Sequence, residues 1–339
     1  MICKIRLVLL MALGLAAMTA EAPAQTFPSR PITVVVPFPA GGPSDTLVRI
    51  MGEHMRAALG QPIVVENVPG ASGSIAAGRV ARAEPDGHTL VLGSWVTHVV
   101  NGAVYPLKYD VVRDFEPVAE VGTNPLLIVA KKSMPANDLK ELIGWLRANG
   151  DKATQGITGA GTALHVAGVF FKKKTGTTHP FVPYKGGAPA VQDLVSGQID
   201  MMIDVAANSL PQVKAGNLKV YAVTAEQRIA SAPDIPTVDE AGLPGLHVSI
   251  WYALWGPKGT PKEAVDKLNG AVVGALADAG VVKRLAELGF VLPPREQQTP
   301  AALGAHQKAD IERWWPVIKE ANIKAEGAAP KADPAAAPK

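Results

Sequence analysis

The stretch Pro39-Ala40-Gly41-Gly42-Pro43-Ser44-Asp45 joins an apolar run to a helix-like pattern. Its glycines let a backbone approach a ligand, and free N–H groups at a helix start attract an anion. The same residues also fit a plain strand-to-helix turn with Ser44 as the N-cap. Asp45 would repel a carboxylate if it faced a pocket, so bracing the helix start or pairing with a cation suits it better. A second stretch, Thr158-Gly159-Ala160-Gly161-Thr162-Ala163-Leu164-His165, offers hydroxyls and a flexible backbone. It misses the dinucleotide pattern, because Leu164 stands where the third glycine belongs. Thr162 reads as a helix cap there, and His165 as a structural hydrogen-bonding residue rather than a base. In a third, Tyr184-Lys185-Gly186-Gly187-Ala188-Pro189, the proline suits a helix start. Lys185 can meet an anion, although a solvated lysine is the commoner outcome.

Enzyme chemistry finds little support. Gly70-Ala71-Ser72-Gly73-Ser74 falls short of a nucleophile elbow, because the residue two after the serine is not glycine. No P-loop is present, and the 7 histidines are scattered without the HExxH spacing of a zinc site. The single cysteine, Cys3, cannot form an internal disulfide or a cysteine zinc cluster. A net charge of +3 lacks the strongly basic footprint of nucleic-acid capture. No metal or cofactor is expected. Trp314 and Trp315 lie on an amphipathic pattern and read as packing residues.

These loops need elements to hold them. With 339 residues the chain is long enough for roughly two domains. Residues 1–24 read as a secretory signal: Lys4 and Arg6, an apolar run too short to span a bilayer, then Ala22-Pro23-Ala24. Cleavage is expected after Ala24 or Ala20, and Cys3 leaves with it. At the other end, residues 326–339 are rich in Ala and Pro and read as a disordered tail. Between them, strands at 32–36, 63–65 and 89–92 alternate with helices that begin at Ser44 and span 75–83. That alternation implies a parallel sheet with covered faces. It recurs with strands at 126–129, near Ile157, at 181–182, 199–203 and 218–223, and helices at 137–147, 163–173 and 188–195. A strand at 250–254 precedes helices around 261–276, 278–288 and 300–321.

The ordered blocks resemble a known family. Pro28-Ser29-Arg30-Pro31-Ile32, then Val36-Pro37-Phe38 through Asp45, look like the opening of the Bug proteins. These are the periplasmic solute-binding proteins of tripartite tricarboxylate transporters. Pro69-Gly70-Ala71-Ser72-Gly73, Pro85-Asp86-Gly87-His88, Pro183-Tyr184-Lys185-Gly186 and Trp255-Gly256-Pro257 follow in order. The resemblance runs from about Phe27 to Glu326. It implies an α/β, two-domain Venus-flytrap periplasmic binding protein fold, type II-like, with the ligand in the interdomain cleft. Domain one would combine residues 26–125 with 249–325, and domain two would be 126–248.

The resemblance implies a ligand carboxylate gripped by Phe38, Ala40, Gly41, Gly42, Ser44 and Asp45 from one domain. From the other come Thr158, Gly159, Gly161, Thr162 and His165. Ser94, Thr97, Tyr184 and Asp204 fall on segments that face the cleft in the family. Trp95 departs from the smaller residues common there, and would either stack on an aromatic ligand or pack beneath the loop. Aromatic carboxylates and short dicarboxylates both stay open. The implied partners are the ligand and the large and small membrane subunits of the transporter. No nucleic acid is expected, and the protein should be a monomer. A ligand-sensing protein without transport is the alternative, and a periplasmic hydrolase the remote one.

Overall fold

The computed structural model describes residues 26–159 and 161–324. The expected signal and tail lie outside them, as does Ala160. Ile32–Val36 forms strand β1, with Ile32, Val34, Val35 and Val36 fully buried. Such burial on both faces belongs to a strand with covered parallel neighbours. β2 (Ile63–Asn67) and β3 (Thr89–Ser94) pair with it in parallel. The connecting helices are α1 (Pro43–Leu59) and α2 (Ser74–Val80). In α1 the N-cap is Gly42, which corrects the alternative reading of Ser44 as the cap. Pro43 takes the first helical position, where its missing N–H costs no bond. Gly60 ends α1 in the left-handed region at φ 68°, its N–H bonded to the Arg56 carbonyl.

The sheet is mixed rather than all parallel. β4 (Phe115–Lys131) is 17 residues long. β9 (Ser249–Pro257) runs antiparallel to both β3 and the first part of β4. The rest of β4, from Leu126 onward, pairs with β7 (Met201–Val205) and β8 (Leu218–Val223). β5 (Gln155–Ile157) lies parallel to β7 and to β6 (Phe181–Pro183). β4 therefore belongs to two sheets, a first of β1–β3 and β9 and a second of β5–β8. At about 3.3 Å per residue a strand of this length reaches more than 50 Å, enough to cross from one layer to the next.

Val96–Val100 is a wide helical turn, followed by α3 (Asn101–Val104). α4 (Leu139–Ala148), α5 (Ala163–Thr175), α6 (Gly187–Ser196) and α7 (Ala206–Lys214) accompany the second sheet. α8 (Lys262–Ala277), α9 (Ala279–Glu287) and α10 (Pro300–Glu320) follow β9. α8 packs on α1, so the chain's last third returns to its first. Buried Gln307 of α10 donates to the carbonyls of His98 and Val111, and Trp315 Nε1 donates to that of Val99. Trp314 is buried too, so both tryptophans pack as expected. The helical turn and α7 escaped the sequence reading. Val96-Thr97-His98-Val99-Val100 is rich in β-branched residues, and α7 carries Pro211 inside it.

Candidate ligand-binding site

The carboxyl ends of β1, β3, β5, β6 and β7 face one another across a cavity of about 650 Å3. Ligands of open α/β sheets sit outside strand carboxyl ends. Three helix starts open onto it: Gly42–Ser44 of α1, Thr162–Leu164 of α5 and Gly186–Ala188 of α6. The first amides of any helix have no partner inside it and carry the positive end of the helix dipole. At α1 and α6 no side chain caps them. They are donors turned towards the cavity, the arrangement that binds a carboxylate or phosphate oxygen.

The α1 loop is braced from behind. Asp45 Oδ2 accepts from the Gly41 amide and from Arg49 Nε, both at 2.9 Å. Burial pushes the Asp45 pKa up, but Arg49, the Gly41 N–H and Asn67 outweigh it, and the carboxyl stays below its ordinary value. Asn67 also donates to the Phe38 carbonyl. Glycine is required at Gly73, which has φ 85°; a Cβ there would stand 2.7 Å from both Pro37 and Thr97.

The α5 loop closes on itself. Thr162 Oγ1 donates to the Gly159 carbonyl at 2.9 Å and accepts from the His165 amide. The Gly161 amide donates to His165 Nδ1 at 3.0 Å. Burial first, then the Lys172 charge, lower the His165 pKa, so the neutral ring can accept that bond. Its ring stands perpendicular to that of Phe181, with centroids 5.1 Å apart.

Phe38, Ala40, Gly41, Gly42, Ser44, Ser94, Thr158, Thr162 and Asp204 come together on the cavity wall. Asp45, Trp95, Thr97, Gly159, Gly161, His165 and Tyr184 do not line it. Asp45, Gly159, Gly161 and His165 belong to the bracing just described. Trp95 is 1% exposed and meets Trp314 edge to face at 5.1 Å, because α10 presses against the turn that follows β3. It packs beneath the loop and offers no platform for an aromatic ligand. Thr97 accepts from the Ser94 amide at 2.8 Å and holds the end of β3. Tyr184 turns onto α6, donating to Asp193 Oδ2 at 2.8 Å. Burial and that carboxylate push its phenol up to about 12.

The wall also holds Ser72, Asn208, Ile250 and Tyr252, none of them foreseen as site residues, together with Lys185 and Gly187. The run 184–189 had signalled Lys185 and Gly187 as a third loop. A Cβ on Gly187 would lie 2.4 Å from Asn208 Nδ2, so any larger residue there must push that amide aside. Ile250 and Tyr252 point inward from β9, while Trp251 points away and donates to Asp310 of α10. Ser94 is 1% exposed, and its Oγ has no hydrogen-bond partner in the protein. Among the described residues no group of His, Cys, Asp and Glu is placed to hold a metal ion.

Two sheets joined by crossing strands, with helix starts from both facing a shared cavity, make this a two-domain binding protein of the periplasmic type. The model of the tripartite tricarboxylate transporter family receptor matches residues 47–323, and the chain belongs to that family. It is 41% identical to the solved structure of MatC from Rhodopseudomonas palustris with bound malate, covering 86% of this chain and 100% of that one, with TM-score 0.80. To the periplasmic binding protein BugD it is 39% identical, over 88% of this chain and 100% of that one, with TM-score 0.81. To an adipate-bound R. palustris protein it is 35% identical, over 88% and 99%, with TM-score 0.82.

Proposed function

We propose that the protein captures a small dicarboxylate in the periplasm by closing two lobes around it, and delivers it to the membrane subunits of a tripartite tricarboxylate transporter. The observation that carries this reading is the pair of uncapped helix starts, α1 on one side of the cavity and α6 on the other. Each offers backbone donors to an anion. Malate and adipate, bound by the relatives, are dicarboxylates. An aromatic carboxylate loses its main support because Trp95 is packed against Trp314.

In this reading residues 26–125 with 249–325 form one lobe and 126–248 the other, with β4 and β9 as the hinge. The protein acts as a monomer without catalysis. It is exported by the signal in residues 1–24, and no described helix is long and apolar enough to cross a membrane. A ligand touching both lobes favours closure by its differential affinity for the closed state.

A thermal-shift screen against C4–C6 dicarboxylates, aromatic acids and tricarboxylates tests the ligand class. A binder raises the midpoint with concentration as RT ln(1 + [L]/Kd). Equal binding of the diamides of the same acids would overturn the carboxylate reading. Solution scattering with saturating ligand tests closure, and an unchanged radius of gyration would refute a hinge.

A further inference from the structure

Asp204 is the acidic side chain on the cavity wall, and it is fully buried. It ends β7 just before Val205, the N-cap of α7. Its Oδ1 accepts from Asn208 Nδ2 at 3.4 Å and its Oδ2 from the Ser209 hydroxyl. An ionised carboxylate has roughly four acceptor positions. The Asn208 contact is long, and a donor in the cavity would reach the carboxylate by taking its place.

That position lies beside the start of α6. A Cβ on Gly187 would be 3.8 Å from Asp204 Oδ1, so the carboxylate and the uncapped amides of α6 are immediate neighbours. The amides attract a negative group; Asp204 repels one. A ligand satisfies both if it carries a carboxylate for the amides and an O–H or N–H donor on the adjoining carbon. The donor turns a like-charge contact into a charge-assisted hydrogen bond. Burial raises the Asp204 pKa to about 6, which still leaves it ionised and accepting at neutral pH.

We infer that Asp204 is a specificity residue, selecting among short dicarboxylates those with a hydroxyl or amine beside a carboxylate. This rests on the dicarboxylate reading above. The test is titration calorimetry of the full protein at pH 7.5 with succinate, malate, aspartate and adipate. Hydrogen bonds to charged groups lead us to expect malate or aspartate to bind at least about tenfold tighter than succinate. Which of the two is preferred separates hydroxyl from amine.

Asp204→Asn should bring that ratio to within about threefold of one, because its amide cannot supply the anionic acceptor. A merely structural role, starting α7 through Asn208 and Ser209, would weaken all the acids together and keep the ratio; that result overturns the inference. Succinate binding as tightly as malate and aspartate in the wild type overturns it too, while leaving the dicarboxylate reading intact. Binding of none of the four acids overturns the dicarboxylate reading itself. If Asp204→Asn does not fold, Asp204→Ser serves as the second variant, and the wild-type ratio decides independently.

Discussion

Replacing Asp204 by asparagine should shift the stability of the ligand-free protein by an amount that depends on pH. The carboxyl is fully buried, and burial lifts its pKa from 3.8 to about 6 despite the bonds from Ser209, Asn208 and Val205. At about 1.4 kcal/mol per unit, that rise amounts to about 3 kcal/mol. Its sign follows from proton counting. Between the two pKa values the folded protein holds a proton at Asp204 that the unfolded chain has released. Stability therefore falls as pH rises through that window. The contribution is fully present below pH 3.8 and lost above about 6. Asparagine has the same shape and no charge, so it removes this slope.

The stability difference should accordingly move in the variant's favour by about 2.5 kcal/mol between pH 4 and pH 8, levelling off above pH 6, from a starting value set by the acceptor that the amide Nδ2 lacks. With an unfolding entropy of about 2.1 cal/mol/K per residue over roughly 300 residues, that change corresponds to about 4 °C in Tm. Urea melts of both proteins at pH 4, 5, 6, 7 and 8 measure it without ligand. A difference that is flat across this range would refute the claim that Asp204 is a strained, buried charge.

Ser94→Ala removes a buried hydroxyl with no protein partner. Stability should therefore hold within about 0.5 kcal/mol, while affinity for the cognate acid drops about tenfold by calorimetry. Trp95→Ala should do the reverse: its ring packs on Trp314 off the cavity, so unfolding free energy falls by about 3–5 kcal/mol with Kd changed less than threefold. Gly187→Ala drives a Cβ to 2.4 Å from Asn208 Nδ2 and pushes aside the amide that donates to Asp204 on the cavity wall. Ligand affinity should fall more than tenfold, whereas Gly144→Ala, with open space around its Cβ, should leave it unchanged within about twofold.

The loops at 38–45 and 158–162 were legible because each is punctuated by glycine and proline between a buried strand and a helix. That is a local property, and the strand-end rule then directs them to a common site. Their division of labour was not legible. Ser44 lines the cavity while Asp45 braces the loop from behind, a difference of one residue around the first turn of α1. Trp95 follows Ser94 immediately, yet α10, some 200 residues later in the chain, decides that it packs inward.

Ile250, Trp251 and Tyr252 make the same point for β9. β9 is buried along nearly its whole length, so its alternation leaves no polar face to mark the solvent. Only the pairing of β9 with β3 and β4 determines that 250 and 252 face the cavity while 251 reaches Asp310. A strand buried on both faces is where sequence period says least and tertiary pairing says most. Of the residues that escaped prediction in this cavity, Ile250 and Tyr252 sit on that strand and Asn208 in the first turn of α7. Both positions come to face the cavity only once the second sheet is brought against the first. An anion site assembled this way needs no dedicated arginine. Its specificity must then come from the few side chains that interrupt a wall of backbone donors, which is why Ser94 and Asp204 carry the discriminating tests.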